Sequence, residues 1–276
     1  MDFQKTEDYL VLLDLDGTIA DILDAKHKLC FGPSLVEIWN LYEYEDDIIE
    51  KWKQMNLYSL NRGINRYYAL LKILLYVNEK YVKIYGLDEF SNWISESTDL
   101  TEENLKAKYE QTGERIFLNA LEFSKLAFEK MSVIEKERLK SFEKGVEVVK
   151  NLSKDCDILA YTDLDINKAH RFLKDYEIDD CIKDVKEKRE VLNTDFINKL
   201  AYLDYNRNQI ILIGDGIEDY SFSKNAKILF YPILVKNENR SWSDFEQEAK
   251  KRFLICDYEG KYQQIVNKEF LRNVER

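Results

Sequence analysis

The sequence predicts an α/β fold, with a parallel sheet as the core and an all-helical cap domain inserted after the first strand. Short apolar segments recur along the chain, and amphipathic helical patterns lie between the later ones. Nearly continuous apolar runs bounded by turn residues are typical of strands buried on both faces, as in a parallel sheet. Alternating strands and helices favour the α/β class.

The apolar segments of strand length each end at a turn residue or a polar residue. The predicted strands are Tyr9–Leu15, Cys156–Thr162, Gln209–Ile213 and Lys227–Tyr231. Helices are predicted after the later strands, at Asn167–Tyr176, Asp195–Leu203 and Ile217–Lys224. Two more amphipathic segments, WSDFEQEAKKRF after Ser241 and KYQQIVNKEFLRNV near the end, are predicted to pack on the core as helices without recognisable chemistry.

The long segment between the first two predicted strands has helical character and little strand character. Its predicted helices are Ser34–Lys53, Arg62–Val77, Thr101–Lys130 and Phe142–Leu152. A structureless loop of this length is improbable in a compact domain. We therefore expect a Rossmann-like core formed by residues 1–22 and 141–276, and a helical cap domain formed by residues 23–140.

Composition excludes several classes of function. The formal net charge of −11 disfavours nucleic acid as a partner and a polybasic membrane anchor. The amino terminus lacks the basic and apolar stretches of a secretory signal, so a cytoplasmic location is expected. Four separated cysteines and two histidines favour neither a zinc cluster nor a disulfide framework. A phosphorylated partner would need a local positive site, which a metal ion can supply.

The first chemical motif is Asp14-Leu15-Asp16-Gly17-Thr18, located where an apolar strand ends. Strand residues two apart point to the same side, and ligands of open α/β sheets bind at the carboxyl ends of strands. Gly17 permits a tight turn there. The alternative is a simple turn with solvated acids, but an apolar strand gains no stability from two acids at its end.

A second acidic motif, Gly214-Asp215-Gly216-Ile217-Glu218-Asp219, follows another apolar strand. If a helix begins at Ile217, Asp215 and Asp219 can share one of its faces. Clustered carboxylates need a cation, and hard oxygen ligands suit Mg²⁺. Gly-Asp-Gly is also ordinary turn chemistry. At the end of a third strand, the Thr162 hydroxyl and nearby backbone N–H groups can hold a phosphate oxygen.

Together, in this order, the three motifs resemble the haloacid dehalogenase-like hydrolase superfamily. Asp14-x-Asp16-Gly17-Thr18 matches its first motif, Thr162 its second, and Gly214-Asp215-x-x-x-Asp219 its fourth. The resemblance covers residues 5–22 and 141–235, and the helical segment matches a cap inserted between the first two motifs.

The third motif of that superfamily is a lysine or arginine upstream of the fourth, and here the choice is open. We select Lys188, which precedes the helix predicted at Asp195–Leu203. The alternatives are Lys183, Lys186, Arg189 and Lys199. The segment KDVKEKRE can also be interpreted as a solvated charged stretch.

The resemblance implies a specific chemistry. Asp14 would be the nucleophile that forms an aspartyl-phosphate, and Asp16 the general acid and base. The implied Mg²⁺ ligands are Asp14, the backbone carbonyl of Asp16, Asp215 and Asp219. The implied phosphate-binding residues are Gly17, Thr18, Thr162, Asp163 and Lys188, with Thr162 and Lys188 also counted as catalytic.

This resemblance predicts a Mg²⁺-dependent phosphohydrolase acting on a small phosphorylated metabolite. Alternatives are a phosphomutase that uses the same aspartyl-phosphate, and a catalytically weak member that binds a phosphorylated ligand. An acid at Asp16 argues against a dehalogenase, whose members lack it, and against ion-pump ATPases, which carry threonine there.

Substrate-binding residues are predicted in the cap at Arg62, Asn65 and Arg66. Two arginines at a helix N-terminus oppose the helix dipole, which favours acids there. A departure from this preference without evident gain in stability indicates a functional role. The alternative interpretation is a solvated helix face with surface ion pairs.

Overall fold

The computed structural model describes residues 4–57, 64–97, 99–133, 140–202 and 204–274. The chain forms two compact units. The first combines Met1–Ile22 with Lys136–Arg276, and the second is Leu23–Glu135. None of the helices in the described ranges combines the length and apolar character that crossing a bilayer requires.

The second unit is helical, and its described residues contain no strand. Its helices are α1 (Leu23–Lys26), α2 (Gly32–Trp39), α3 (Glu45–Leu57), α4 (Arg66–Lys80), α5 (Leu87–Glu96), α6 (Glu102–Thr112) and α7 (Arg115–Ser132), with a π-helical stretch at His27–Phe31 between α1 and α2. Large aromatic side chains fill its interior, among them Trp52, Phe90, Phe117 and Phe123.

Two of the helices predicted in this unit are each divided in two. The predicted Ser34–Lys53 is interrupted by Asn40, and the predicted Thr101–Lys130 by Gly113. Both residues have the left-handed backbone that ends a helix, with φ of 54° and 69°. Helix α5 was not predicted.

The first unit contains a five-stranded parallel sheet in the order β5-β4-β1-β6-β7, and a separate antiparallel pair, β2 and β3. The strands are β1 (Tyr9–Asp14), β2 (Ala20–Asp21), β3 (Lys140–Ser141), β4 (Cys156–Thr162), β5 (Asp184–Glu187), β6 (Ile210–Gly214) and β7 (Leu229–Pro232).

Parallel pairing is continuous across the larger sheet. Strand β1 pairs with β4 along its whole length and with β6 from Leu10 to Leu13. Strand β4 also pairs with β5 through its last four residues, and β6 pairs with β7 from Ile211 to Gly214. Because all five strands run the same way, their carboxyl ends lie at one end of the sheet.

Strand β1 lies at the centre of the sheet, and its residues from Leu10 onward are buried. Its register sets Asp14 beside Tyr161 of β4, and Leu13 beside Ile213 of β6. The ends of β1, β4 and β6 are therefore neighbours, and the residues that follow them share one region of this unit.

The helices of the first unit follow the strands. They are α8 (Glu143–Leu152), α9 (Ile166–Asp175), α10 (Lys188–Val191), α11 (Thr194–Ala201), α12 (Ile217–Ala226), α13 (Glu238–Asp244), α14 (Lys250–Leu254) and α15 (Lys261–Val274). A hydrophobic cluster on one side of the sheet joins β1, β4, β6 and β7 to α11 and α15, with Leu12, Leu212, Phe230 and Phe270 fully buried.

The α/β fold class predicted from the sequence is confirmed, and the bounds of the predicted strands agree within two residues. Strand β4 has the predicted bounds. Strand β7 begins at Leu229 rather than at Lys227, because Lys227 adopts a left-handed backbone (φ 55°) that ends α12. Strand β5, at the sheet edge, was not predicted.

Candidate active site

The first predicted motif forms a tight loop after β1. Asp14 is the last residue of the strand, Asp16 lies two residues later, and both side chains are buried. The backbone N–H of Asp16 donates to Asp14 Oδ1 at 3.3 Å. Gly17 has φ of +82°, in the left-handed region that favours glycine, and its N–H donates to the carbonyl of Ala20 at 2.8 Å. The chain thus reverses direction immediately after the two acids.

Thr18, in the same loop, is fully buried. Its hydroxyl has no hydrogen-bond partner within the described part of the chain. Buried hydroxyls are normally hydrogen-bonded, so this one retains an unused capacity for a hydrogen bond. This is compatible with the predicted contact between Thr18 and phosphate, which stays a prediction.

The end of β4 contributes Thr162 to the site. Its hydroxyl donates to Asp16 Oδ1 at 2.5 Å and accepts from the N–H of Leu164 at 2.9 Å. The structure therefore places Thr162 against the predicted acid and base. Asp163, the next residue, is exposed. The predicted binding of phosphate by Thr162 and Asp163 remains untested.

The end of β6 brings in the second acidic motif. Asp219, in the first turn of α12, accepts from the N–H of Gly216 at 2.9 Å and from the Tyr161 hydroxyl at 2.8 Å. A Cβ at Gly214 would lie 2.6 Å from Asp219 Oδ2, so only glycine leaves room for this carboxylate. Tyr161 was not predicted as a site residue, because in the sequence it is one more large residue of a buried strand.

Three buried carboxylates meet at these strand ends. Asp14, Asp215 and Asp219 each offer an oxygen, and these oxygens lie within 4.8 Å of one another. Buried like charges at this separation repel unless protons or a cation neutralise them. Several carboxylate oxygens with few other ligands suit a hard cation such as Mg²⁺. The donor set therefore fits the predicted metal, and the backbone carbonyl of Asp16 stays a predicted fourth contact.

Lys188 is the basic residue that the described part of the chain brings to these carboxylates. Its Nζ lies 3.9 Å from Asp14 Oδ2 and 3.8 Å from Asp219 Oδ1, and 13% of the side chain is exposed. Lys188 is the first residue of α10, directly after the edge strand β5. Of the basic residues considered from the sequence, Lys188 is thus the one whose described contacts include these carboxylates, and its role stays a prediction.

The alternatives to Lys188 have other partners or point to solvent. Lys183 pairs with Asp157 at 3.4 Å, and Lys186 with Asp184 at 2.8 Å. The Arg189 side chain is 84% exposed and pairs with Glu187, and Lys199 is exposed on α11.

Burial and mutual repulsion shape the pKa values of the site. Burial raises the pKa of Asp14 well above its usual range, and Asp219 raises it further. Burial alone would lower the pKa of Lys188, but Asp219 and Asp14 outweigh it and the pKa lies well above its ordinary value. Lys188 is therefore a fixed positive charge.

Glu218 is a residue of the site that sequence reasoning did not select. Its Oε2 lies 3.8 Å from Lys188 Nζ. Burial raises its pKa to about 7, with Lys188 opposing and Asp219 adding to the shift. Glu218 belongs to the motif Gly214–Asp219, but nothing in the spacing distinguishes it from a solvated first-turn acid.

The predicted substrate-binding residues belong to the helical unit. Arg62 lies outside the described residues. Asn65 is the N-cap of α4: its side chain accepts from the N–H of Tyr67 at 2.9 Å and donates to the carbonyl of Leu100. The Arg66 guanidinium lies over the rings of Tyr67 and Phe128, at 4.8 and 5.1 Å. Local contacts account for both positions, and their role in binding substrate stays a prediction.

Comparisons with known proteins identify a family and similar folds. The sequence matches the haloacid dehalogenase-like hydrolase family over residues 10–227. No curated protein matches the chain. A protein from Lactobacillus delbrueckii subsp. bulgaricus, provisionally assigned as a phosphoglycolate phosphatase, has a similar structure with a TM-score of 0.50 and 15% identity, covering 82% of this chain and 86% of its own.

Two other solved structures resemble the chain more weakly. A phosphonoacetaldehyde hydrolase-like protein from Oleispira antarctica has 13% identity and a TM-score of 0.47, covering 100% of this chain and 98% of its own. A hydrolase from Deinococcus radiodurans R1 with bound phosphate and sodium has 11% identity and a TM-score of 0.44, covering 91% of this chain and 98% of its own.

The family match includes the ends of β1, β4 and β6 and therefore the whole carboxylate cluster. The chain belongs to the haloacid dehalogenase-like hydrolase family. The resemblance inferred from Asp14-x-Asp16-Gly17-Thr18, Thr162 and Gly214-Asp215-x-x-x-Asp219 is confirmed.

Proposed function

We propose that this hydrolase is a Mg²⁺-dependent phosphatase that cleaves a small-molecule phosphomonoester through an aspartyl-phosphate intermediate. The observation that carries the proposal is the carboxylate cluster of Asp14, Asp215 and Asp219, with Lys188 beside it and Asp16 on the adjoining loop. A dianionic phosphate cannot approach these acids unless positive charge accompanies it. The cluster supplies the ligands for such a charge.

A Mg²⁺ held by Asp14, Asp215 and Asp219 would neutralise phosphate oxygens and orient the ester for in-line attack. Lys188 contributes a second, permanent positive charge on the same side of the site. In phosphoryl transfer most of the acceleration comes from positioning and electrostatic stabilisation of the transferring group. The arrangement therefore favours transfer of a highly charged group over other hydrolytic chemistry.

In the first step an oxygen of Asp14 attacks phosphorus, and the bond between phosphorus and the ester oxygen breaks. The leaving oxygen keeps the electron pair and takes a proton from Asp16. In the second step water attacks the aspartyl-phosphate, Asp16 accepts a proton from that water, and the bond to Asp14 breaks to release inorganic phosphate. One group that serves as acid and then as base suits this sequence.

The hydrogen bond from Thr162 supports this role for Asp16. The hydroxyl donates to Oδ1 of the Asp16 carboxyl group. The carboxyl group is thereby held in one orientation. A positioned proton donor of this kind contributes about 10²- to 10⁴-fold to such reactions.

The test is release of inorganic phosphate from a panel of sugar phosphates, nucleotides and an aryl phosphate, with Mg²⁺ and with EDTA. We expect metal-dependent turnover in the wild type, loss of turnover in Asp14→Asn, and unchanged turnover in Asp180→Asn, a matched change at an exposed acid. Turnover that persists in Asp14→Asn would contradict the covalent route. Turnover that requires an added bisphosphate would instead indicate a phosphomutase.

A further inference from the structure

Helix α13 lies beyond the residues matched by the family, yet it contacts the loop of the first motif. Trp242 is fully buried, and its indole N–H donates to the backbone carbonyl of Thr18 at 2.9 Å. Thr18 is two residues after Asp16, the proposed acid and base. The sequence pattern of this C-terminal segment suggested only helix packing, so this contact is a finding of the structure.

Two carbonyls of the loop bond to groups outside it. The carbonyl of Ile19 accepts from the backbone N–H of Phe142 at 2.9 Å, and the carbonyl of Thr18 accepts from Trp242. The backbone bonds within the loop use two carbonyls. That of Leu15 accepts from the N–H groups of Thr18, Ile19 and Ala20 at 3.4, 3.1 and 2.8 Å, and that of Ala20 accepts from Gly17. The carbonyl of Thr18 accepts from a side chain 224 residues away in the sequence. A buried carbonyl left unpaired is unfavourable, so Trp242 favours this loop conformation over alternatives.

Trp242 is itself tightly held. A Cβ at Gly145 of α8 would lie 2.7 Å from Trp242 Nε1 and 2.9 Å from Ile19 Cδ1, so α8 packs directly against both the indole and the loop. The neighbouring Ser241 is also fixed, because its carbonyl accepts from the Tyr231 hydroxyl at 2.7 Å. The indole is therefore a rigid support.

The start of α8 is tied to α13 and to the segment that directly follows it. The N–H of Lys144 donates to the Asn239 side chain at 3.1 Å, and Lys144 Nζ lies 2.7 Å from Glu246 Oε2. Asn239, Ser241 and Trp242 thus connect α8, the end of β7 and the motif loop. These three residues form what we call the C-terminal latch.

We propose that Trp242 is a positioning residue for the catalytic loop, through which the C-terminal latch sets the placement of Asp16 and Thr18. The inference rests on the proposed phosphatase function for its kinetic consequence. Its structural consequence, a more ordered loop, can be tested whether or not the protein is a phosphatase. Displacements well below the length of a hydrogen bond at such a site reduce kcat strongly.

The test compares Trp242→Phe with Tyr258→Phe. Tyr258 is an equally buried residue of the C-terminal segment, and its hydroxyl donates to the backbone carbonyl of Phe230 at 2.7 Å. Each variant thus removes one hydrogen bond to a buried backbone carbonyl, but only Trp242 contacts the motif loop. We expect kcat for the best phosphoester to fall about tenfold or more in Trp242→Phe, with KM little changed, and to stay at the wild-type value in Tyr258→Phe.

Hydrogen–deuterium exchange of the peptide containing residues 15–20 gives a readout that needs no substrate. Faster exchange in Trp242→Phe but not in Tyr258→Phe supports the inference, even if the wild type hydrolyses no phosphoester and the proposed function fails. Equal exchange in this peptide for both variants, or equal losses of kcat in both, would overturn it. Circular dichroism measures the folded fraction of each variant, and kcat is calculated per folded molecule.

Discussion

Replacing Lys188 with methionine removes the positive charge beside the carboxylates while keeping most of the side chain's length. The Nζ lies 3.9 Å from Asp14 Oδ2 and 3.8 Å from Asp219 Oδ1, and only 13% of the side chain is exposed. Two unit charges at this separation interact by about 4 kcal/mol at an effective dielectric constant near 20. Loss of one such group from a transition state reduces kcat by about 10²- to 10³-fold. We expect a loss of this size for Lys188→Met.

Steady-state kinetics of phosphate release over a Mg²⁺ titration measures this loss. Arg189→Met is the matched control, because Arg189 is adjacent in sequence, 84% exposed and paired with Glu187; its kcat should equal that of the wild type. The Mg²⁺ concentration needed for half-maximal activity should not rise in Lys188→Met, because the variant removes a cation that competes with the metal for Asp14 and Asp219. A wild-type kcat in Lys188→Met, or an equal loss in Arg189→Met, would refute the assignment of Lys188.

Two other predictions follow from single side chains. Gly214→Ala places a Cβ 2.6 Å from Asp219 Oδ2, so the carboxylate must move. We expect the affinity for Mg²⁺, measured by isothermal titration calorimetry, to fall about 10- to 100-fold. An unchanged affinity would contradict the geometry. Burial alone would raise the pKa of Asp157, but hydrogen bonds from Glu7, Thr6 and Tyr205 lower it to about 2 from 3.8. Because this folded-state pKa is depressed, its contribution of about 2 kcal/mol is complete above about pH 4 and is lost as the pH falls toward about 2. Denaturant unfolding should therefore show Asp157→Asn less stable by about this amount at neutral pH, with the difference shrinking in acid, and a constant difference would refute it.

The parts of the fold with strong local signals could be predicted from the sequence. The segments that form β1, β4 and β6 are buried on both faces, so they are largely apolar and end where Asp14, Thr162 and Gly214 begin the turns. Strand β5 could not be predicted, because it lies at the sheet edge and Val185 is its only buried residue. The breaks at Asn40 and Gly113 were missed because a single left-handed residue hardly changes a helical periodicity.

The residues of the candidate site likewise include some that the sequence pattern predicts and others that it does not. The acids that project from neighbouring strand ends could be predicted, since a parallel sheet brings such ends together. Which lysine approaches them depended on β5, whose end places Lys188, and therefore on the strand that the pattern did not show. Trp242 could not be predicted at all, because its contact with Thr18 joins residues far apart in sequence and leaves no spacing to detect.

Asp157 and Asp14 show why a buried acid can stabilise the fold at one end of a sheet and serve a proposed catalytic role at the other end. Asp157, near the start of β4, accepts hydrogen bonds from Thr6, Glu7 and Tyr205, so its charge is satisfied and its pKa is lowered. Asp14, at the end of β1, is buried and faces other acids, and burial together with Asp219 raises its pKa. Replacing each acid by asparagine should therefore have opposite effects on the stability of the fold.

Asp157→Asn should lose stability and keep kcat, because it removes satisfied hydrogen bonds far from the chemistry. Asp14→Asn should lose turnover but gain stability in EDTA, because it removes repulsion that the fold tolerates only where a cation is to be bound. Denaturant unfolding in EDTA, paired with phosphate release in Mg²⁺, measures both quantities for each variant. If Asp14→Asn were less stable than the wild type in EDTA, the carboxylate cluster would be a structural network, and its assignment as a metal site would lose its physical basis.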